Sequence, residues 1–379
     1  MISCKRIFVN SVIFGLCVVF FLAAEGEGIA QSGESAVSPS PIGEKALRVA
    51  VVGDTGIGER AFHWGFLAVQ KAIRENHPDV LLHLGDFVYQ PQWLPASCLR
   101  KYIEEIRETL VDPFAFRLFV PGDNDLPPTV DKPKASGCWG QIDPLDSPFD
   151  EAAPGDGESS RFEGSKTIGN AFFAILNTHP WKDPTPWLAP RIRAAKEKGL
   201  WVIVALHEPA VTTAWYLDKK ETVLKQINGL EPDLVFSGNQ HSYERFDPLG
   251  IPEKGEDLPV RKSATSQYRR GEGSIHIISG GGGAAFKPFA DQQGNEEHSA
   301  PEDVFNALAE RALMNHFILL KISEGMLRGA TYRVCPGKEL EGESNPRWRP
   351  EDPMWNSIPL ECDGKPAGVA EFDRFEIAK

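Results

Sequence analysis

From Ala46 onward, short apolar runs alternate with stretches whose apolar positions recur every three to four residues, the rhythm of an α/β domain. The runs ALRVAVV, DVLLHL, FRLFV, AFFAIL, WVIVAL and DLVF predict buried strands. Between them, ERAFHWGFLAVQKAIREN, SCLRKYIEEIRETL, APRIRAAKEKG and KKETVLKQING each carry a charged face and an apolar face and predict helices. The later runs SIHIIS, HFILLKIS and LRGATYRV are β-branched or alternating, without clear helices between them. They predict a second sheet with an antiparallel part. Residues 126–165, rich in Pro, Gly, Asp and Ser, break the rhythm and predict a long ordered loop or insertion near the site. Residues 336–370 break it again, before EFDRFEIAK adds a last strand.

The residues just beyond each strand carry the chemistry. VAVV ends in Gly53-Asp54, LLHL in Gly85-Asp86 with Tyr89 three residues on, RLFV in PGDND, VIVAL in His207 and DLVF in SGNQH. Ligands of open α/β sheets bind at the carboxyl ends of the strands. Five strand ends therefore deliver Asp54, Asp86, Tyr89, Asp123, Asn124, His207, Asn239 and His241 toward one place. A single Gly-Asp after a strand is ordinarily a turn or cap, and a single His there is ordinarily structural. Five together fit a pair of first-row metals, because hard oxygen donors and imidazoles with one shared carboxylate suit such ions.

The ordered blocks GDTG, GDFVY, PGDND, VALH and GNQHSYER resemble the calcineurin-like metallophosphoesterases, and among them most closely the purple acid phosphatases. The resemblance runs from about Leu47 to Val334 and implies an α/β fold, a four-layer α/β/β/α sandwich of two mixed sheets. It implies a domain over 46–335 with an insertion loop at 126–165, and a C-terminal extension over 336–379 packed on the same domain. It places Asp54, Asp86, Tyr89 and His241 on a first metal, and Asp86, Asp123, His207 and Asn239 on a second. It further implies iron at the first position, with its tyrosinate colour, and Mn, Zn, Mg or Fe at the second.

Three residues depart from the family pattern. Asp123 stands where the family has a neutral Asn ligand, Asn124 where it has a catalytic His, and Asn239 where it has the first His of its last motif. A carboxamide at Asn239 keeps the charge and hardens the ligand, whereas Asp123 adds a negative charge. Asn124 can contact a substrate phosphate but cannot protonate a leaving group, a role worth about 10²- to 10⁴-fold. His63 and His179, beside Trp and Pro, are read as structural, with reach to the leaving group as the weaker alternative. Gly280–Ala284 lacks the Lys and helix of a P-loop and predicts a tight turn beside the site. Tyr268–Arg270 predicts a solvated loop.

The formal net charge of −13 over 379 residues excludes general binding to nucleic acid or acidic lipid. Residues 1–30 have the pattern of a signal peptide, two cations and then an apolar run, with cleavage after Ala24 or Ala30; a Ser-rich linker follows over 31–45. An uncleaved N-terminal anchor is the alternative, since the run approaches the length needed to span a bilayer. Cys98, Cys138, Cys335 and Cys362 suit an oxidising compartment, and their order suggests Cys98–Cys138 and Cys335–Cys362 disulfides. The expectation is a secreted or periplasmic two-metal phosphomonoesterase, with His207 in its catalytic set as a ligand, acting on a small phosphorylated substrate by in-line attack of a metal-bound hydroxide. A degenerate metal- or phosphate-binding relative and a phosphodiesterase or nucleotidase are the alternatives.

Overall fold

The computed structural model describes residues 46–57, 63–89, 98–130, 132–133, 135–142, 149–154, 162–292, 294, 296–335 and 368–379. The predicted leader and linker, residues 336–367 and the side chain of His63 lie outside the described residues. In chain order the first strands are β1 (Leu47–Val52), β2 (Val80–His83), β3 (Phe116–Phe119), β4 (Glu151–Ala152), β5 (Gly164–Ile168), β6 (Ala171–Leu176), β7 (Trp201–Leu206) and β8 (Leu234–Ser237). The remaining strands are β9 (Tyr243–Phe246), β10 (Gln267–Arg269), β11 (Ile275–Ser279), β12 (Leu308–Ala312), β13 (His316–Ile322), β14 (Met326–Cys335) and β15 (Gly368–Ala378). The helices are α1 (His63–Glu75), α2 (Arg100–Ile106), α3 (Trp139–Ile142), α4 (Thr185–Glu197), α5 (Lys225–Gly229) and α6 (Glu302–Ala307).

These strands form two mixed sheets. One runs β10-β15-β14-β13-β1-β2-β3 and the other β12-β9-β11-β8-β7-β6-β5-β4. Parallel pairing joins β1 to β2 to β3, and β6 to β7 to β8 to β11. The antiparallel partners flank them: β13 beside β1, and β9 beside β11. Side chains alternate across each strand and divide the strand-lined core into three. Val49 and Val51 of β1 meet Ile203 and Ala205 of β7 between the sheets. Ala50 and Val52 face outward beneath α1, α2 and α3, whereas Val202, Val204 and Leu206 face α4, α5 and α6 on the far side. The fold is thus the expected four-layer α/β/β/α sandwich. Each fully buried Val, Leu or Ile contributes about 1.5–3 kcal/mol, so the apolar runs both place the strands and hold them.

The late runs do not share one sheet, contrary to the expectation from their pattern. β11 extends the sheet of β8, while β13 and β14 extend that of β1. Tyr268–Arg270 is not a solvated loop: Tyr268 lies buried in β10, and Arg270 donates to Asp233 at 3.0 Å. The stretch beginning SGNQHSYER leaves its loop at Tyr243 to form β9. The predicted insertion at 126–165 holds α3, β4 and the start of β5. The Cys98–Cys138 disulfide is present as expected and ties the start of α2 to the approach of α3. Cys335 is also disulfide-bonded, and its predicted partner Cys362 lies outside the described residues.

One buried ion pair closes the fold across the two sheets. Arg245 of β9 gives Nε and Nη2 to the two oxygens of Asp373 in β15 at 2.6 and 2.9 Å, and Tyr243 Oη donates to the same carboxylate at 2.6 Å. Its remaining donors reach Tyr268 Oη at 2.9 Å and Ser266 Oγ at 3.0 Å. With the side chains 1% and 8% exposed, removal of one partner strands a buried charge. Asp373→Ala is therefore expected to destabilise the protein by about 3–5 kcal/mol in denaturant unfolding. A loss below about 1 kcal/mol, the scale of an exposed pair, would show that the pair is not a structural closure.

Candidate metal centre

The carboxyl ends of β1, β2, β3, β6, β7 and β8 converge on one cluster. Asp54 and Asp86 lie just beyond β1 and β2 with φ of 57° and 55°, and Asn239 lies beyond β8 with φ of 61°. Non-glycine residues in this region carry strain that the surrounding structure must hold. Backbone bonds between the loops do so: Asp54 N donates to Gly85 O at 3.0 Å, Thr55 N to Asp86 O at 3.1 Å and Gly238 N to His207 O at 2.9 Å. Gly85 has φ of 93°, and a Cβ there would come within 2.7 Å of His207 Nδ1. At Gly122 a Cβ would strike Asp86 itself. These two glycines follow from the close approach of the carboxylates to their neighbours.

A first group forms around Tyr89. Its hydroxyl lies 2.8 Å from Asp54 Oδ1, from Asp86 Oδ2 and from His241 Nε2. His241 Nδ1 is held by the carbonyl of Ala285, which leaves Nε2 as the ligand atom. Burial, then Lys287, lowers the His241 pKa, which favours the neutral ring. Burial, then Asp54 and Asp86, pushes the Tyr89 phenol well above its ordinary value. Only a strongly acidic cation at this position would displace its proton. One ligand atom each from Asp54, Asp86 and His241 lie within 4.8 Å of one another.

A second group forms around His207. Its Nδ1 donates to Leu84 O at 2.7 Å, turning Nε2 toward Asp86 Oδ1 and Asp123 Oδ1, each 3.4 Å away. That Nε2 is buried without a hydrogen-bond partner. Burial works against charge on the ring, but Asp86 and Asp123 outweigh it and hold its pKa well above the ordinary value. His179, from the loop after β6, completes the group: one ligand atom each from Asp123, His179 and His207 lie within 4.8 Å. Burial, then His207, lowers the His179 pKa. Asp86 stands in both groups' reach, as a shared carboxylate must.

The residues fit a pair of cations. Asp54, Asp86 and Asp123 are 0%, 0% and 7% exposed, and buried carboxylates in such number require charge partners or metal. The orphaned Nε2 of His207 is an imidazole donor already aimed at them. Asp125 explains how they are positioned. Its carboxylate accepts Phe87 N at 2.9 Å and Gly122 N at 3.2 Å, pinning the β2 loop to the β3 loop. Burial, then Asp86, pushes its pKa well above the ordinary range.

The three departing residues are all at this centre. Asp123 forms an ion pair with Lys132, a residue of the 126–165 stretch that no sequence motif marks. Asn124 donates from its backbone N to Asp86 Oδ1 at 2.9 Å and from Nδ2 to Asp86 Oδ2 at 2.6 Å. Asn239 donates its backbone N to Asp54 Oδ2 at 2.9 Å, and Lys287 Nζ lies 2.7 Å from its carbonyl and 3.5 Å from its side-chain oxygen. Gly282 N bonds Gly53 O at 2.9 Å and Ala284 N bonds Asp54 O at 2.9 Å, so Gly280–Ala284 is the expected turn beside the site. Cavities of about 540 and 720 Å³ open on either side and share Glu208 and Asn239. Lys132 and His179 border the larger; Lys287, Lys219 and Trp215 border the smaller. Glu208, Lys219 and Lys287 went unread in the sequence, because nothing in their local pattern separates them from surface charge.

Comparisons with known proteins agree with this geometry. Residues 47–243 match the family model described as calcineurin-like phosphoesterase. The chain is 24% identical over 288 residues to the Probable inactive purple acid phosphatase 27 of Arabidopsis thaliana, covering 67% of this chain and 44% of that protein. It thus spans less than half the length of the curated purple acid phosphatase relatives it matches. Among solved structures, the purple acid phosphatase PPD1 of yellow lupin (Lupinus luteus) superposes with a TM-score of 0.58 at 16% identity, covering 90% of this chain and 55% of that one. PhoD superposes with a TM-score of 0.52 at 10% identity, covering 90% and 71%. A family model spanning over half the residues, on a fold whose strand ends gather two groups of metal-type ligands, establishes that the chain belongs to the calcineurin-like phosphoesterase family.

Proposed function

We propose that the protein is an exported phosphomonoesterase that holds two ions, iron with Asp54, Asp86, Tyr89 and His241, and Mn, Zn, Mg or Fe beside Asp123 and His207. The observation that carries this reading is the pair of ligand groups meeting at Asp86. When bound, the ions supply Lewis-acid charge and an activated water for in-line attack on phosphorus. The chain's own residues hold and orient. Asp125 fixes the two carboxylate loops, Leu84 O and Ala285 O set the His207 and His241 rings, and Lys132 and Lys287 place positive charge on opposite sides for a phosphate dianion. Small phosphorylated molecules fit the cavities, while the net charge of −13 disfavours nucleic acid. Export is supported by the leader pattern and by the disulfide, which an oxidising compartment preserves.

A metal-binding relative without useful turnover is the second reading. Asn124 favours it: its amide is turned onto Asp86 and carries no transferable proton where the family has a His. The Arabidopsis relative with "probable inactive" in its name is in keeping with that alternative.

Three measurements test these readings. Protein reconstituted with iron plus manganese or zinc is expected to hydrolyse an aryl phosphate and to lose turnover on chelation; two bound ions without turnover in any pairing would establish the second reading. Asn124→His is expected to raise hydrolysis of alkyl phosphates by about 10²-fold or more, with little change for aryl phosphates, because only the poor leaving group needs the proton. A visible tyrosinate-to-iron band is expected in the iron form and should vanish in Tyr89→Phe; a band that survives would remove Tyr89 from the first site.

A further inference from the structure

We propose that His179 is a ligand of the second ion, taking the coordination position that Asn239 was expected to fill. The inference rests on the two-metal reading above. His179 follows β6 by a short loop, so a sixth strand end reaches the centre beside the five that the motifs mark. One of its ring nitrogens lies within 4.8 Å of a carboxylate oxygen of Asp123 and a ring nitrogen of His207, the spacing of donors around a common ion. Its Nε2 is buried without a partner, as is the Nε2 of His207, and the two rings lie with centroids 5.9 Å apart. Two orphaned imidazole nitrogens beside a carboxylate are costly in a protein interior unless they share a cation.

Asn239 has other engagements. Its backbone N supports Asp54, its carbonyl receives Lys287 and its side-chain oxygen lies 3.5 Å from the same ammonium. A cation so close competes with a metal for that oxygen. The second ion's set is then Asp86, Asp123, His179 and His207, two carboxylates and two imidazoles. Asp123 serves through Oδ1, which faces His207, while Lys132 remains on Oδ2. This set contains as many imidazoles as the family pattern would give with a His at the position of Asn239. The missing imidazole is supplied from a different strand.

The test counts metal rather than turnover. The full chain, stripped by chelation, is titrated with Mn²⁺ and with Zn²⁺ by calorimetry, and the bound metal is measured by elemental analysis. Wild type is expected to take two ions; a wild type that takes only one would overturn the two-metal reading itself, before any variant is made. His179→Ala is expected to keep the first ion and weaken the second by more than about 100-fold, beyond the roughly 10- to 100-fold loss typical of an outer partner. Asn239→Ala is expected to keep both. An unchanged second affinity in His179→Ala, or loss of the second ion in Asn239→Ala alone, would overturn the assignment. If His179→Ala fails to fold, His179→Cys decides: a thiolate ligand moves the second site's preference from manganese toward zinc. A preference equal to wild type would exclude residue 179 from the coordination sphere.

Discussion

Three carboxylates, Asp54, Asp86 and Asp123, are gathered almost without exposure at the ends of three neighbouring strands. Their mutual repulsion, in surroundings that screen charge poorly, is the constraint to which the rest of the centre answers. Protons and an ammonium group face these carboxylates. Tyr89 donates its hydroxyl proton toward Asp54 and Asp86, His207 is held toward its charged form, and Lys132 pairs with Asp123. Of these, Lys132 is half exposed, whereas His207 is fully buried. The loop bonds and the strained φ angles are consequences, because only a backbone tied across loops keeps these groups together.

Most of the fold was legible because strands buried on both faces must be apolar along their length, and such runs are hard to mistake. Partner choice was not. β11, β13 and β14 have similar patterns, yet the first joins one sheet and the others the second, since periodicity encodes faces and not neighbours. β9 was hidden because Tyr243 follows directly on the metal loop, where polar residues mask the strand's start. At the site, residues in the five motif blocks were legible because Gly and ligand types recur at fixed spacing. His179 has the same position after β6 but no motif around it, and its Pro and Trp neighbours read as ordinary packing. Lys132 was out of reach, since it returns to Asp123 from a Pro-rich stretch without periodicity.

The departures from the family pattern look different once their neighbours are known. Asp123 adds a negative charge where the family has a neutral side chain, and Lys132 adds a positive one on the same carboxylate. Asn239 lacks an imidazole, and His179 brings one to the same group of ligands. Charge and donor type can thus balance across the cluster rather than at each position. Among the described residues, Asn124 has no such counterpart. Its amide donates to Asp86 and carries no transferable proton.

The Arg245–Asp373 pair carries a consequence for the order in which the molecule is made. Its two members are 128 residues apart, and Arg245 lies four residues beyond His241 on the strand that leaves the metal loop. A chain growing from its N-terminus therefore holds an unneutralised guanidinium, unable to enter the core, until β15 arrives. The strand that leaves the metal loop thus gains its carboxylate partner only after every predicted ligand has been synthesised. Any ion held by that loop would rest on a strand whose buried guanidinium is balanced from β15, in the other sheet.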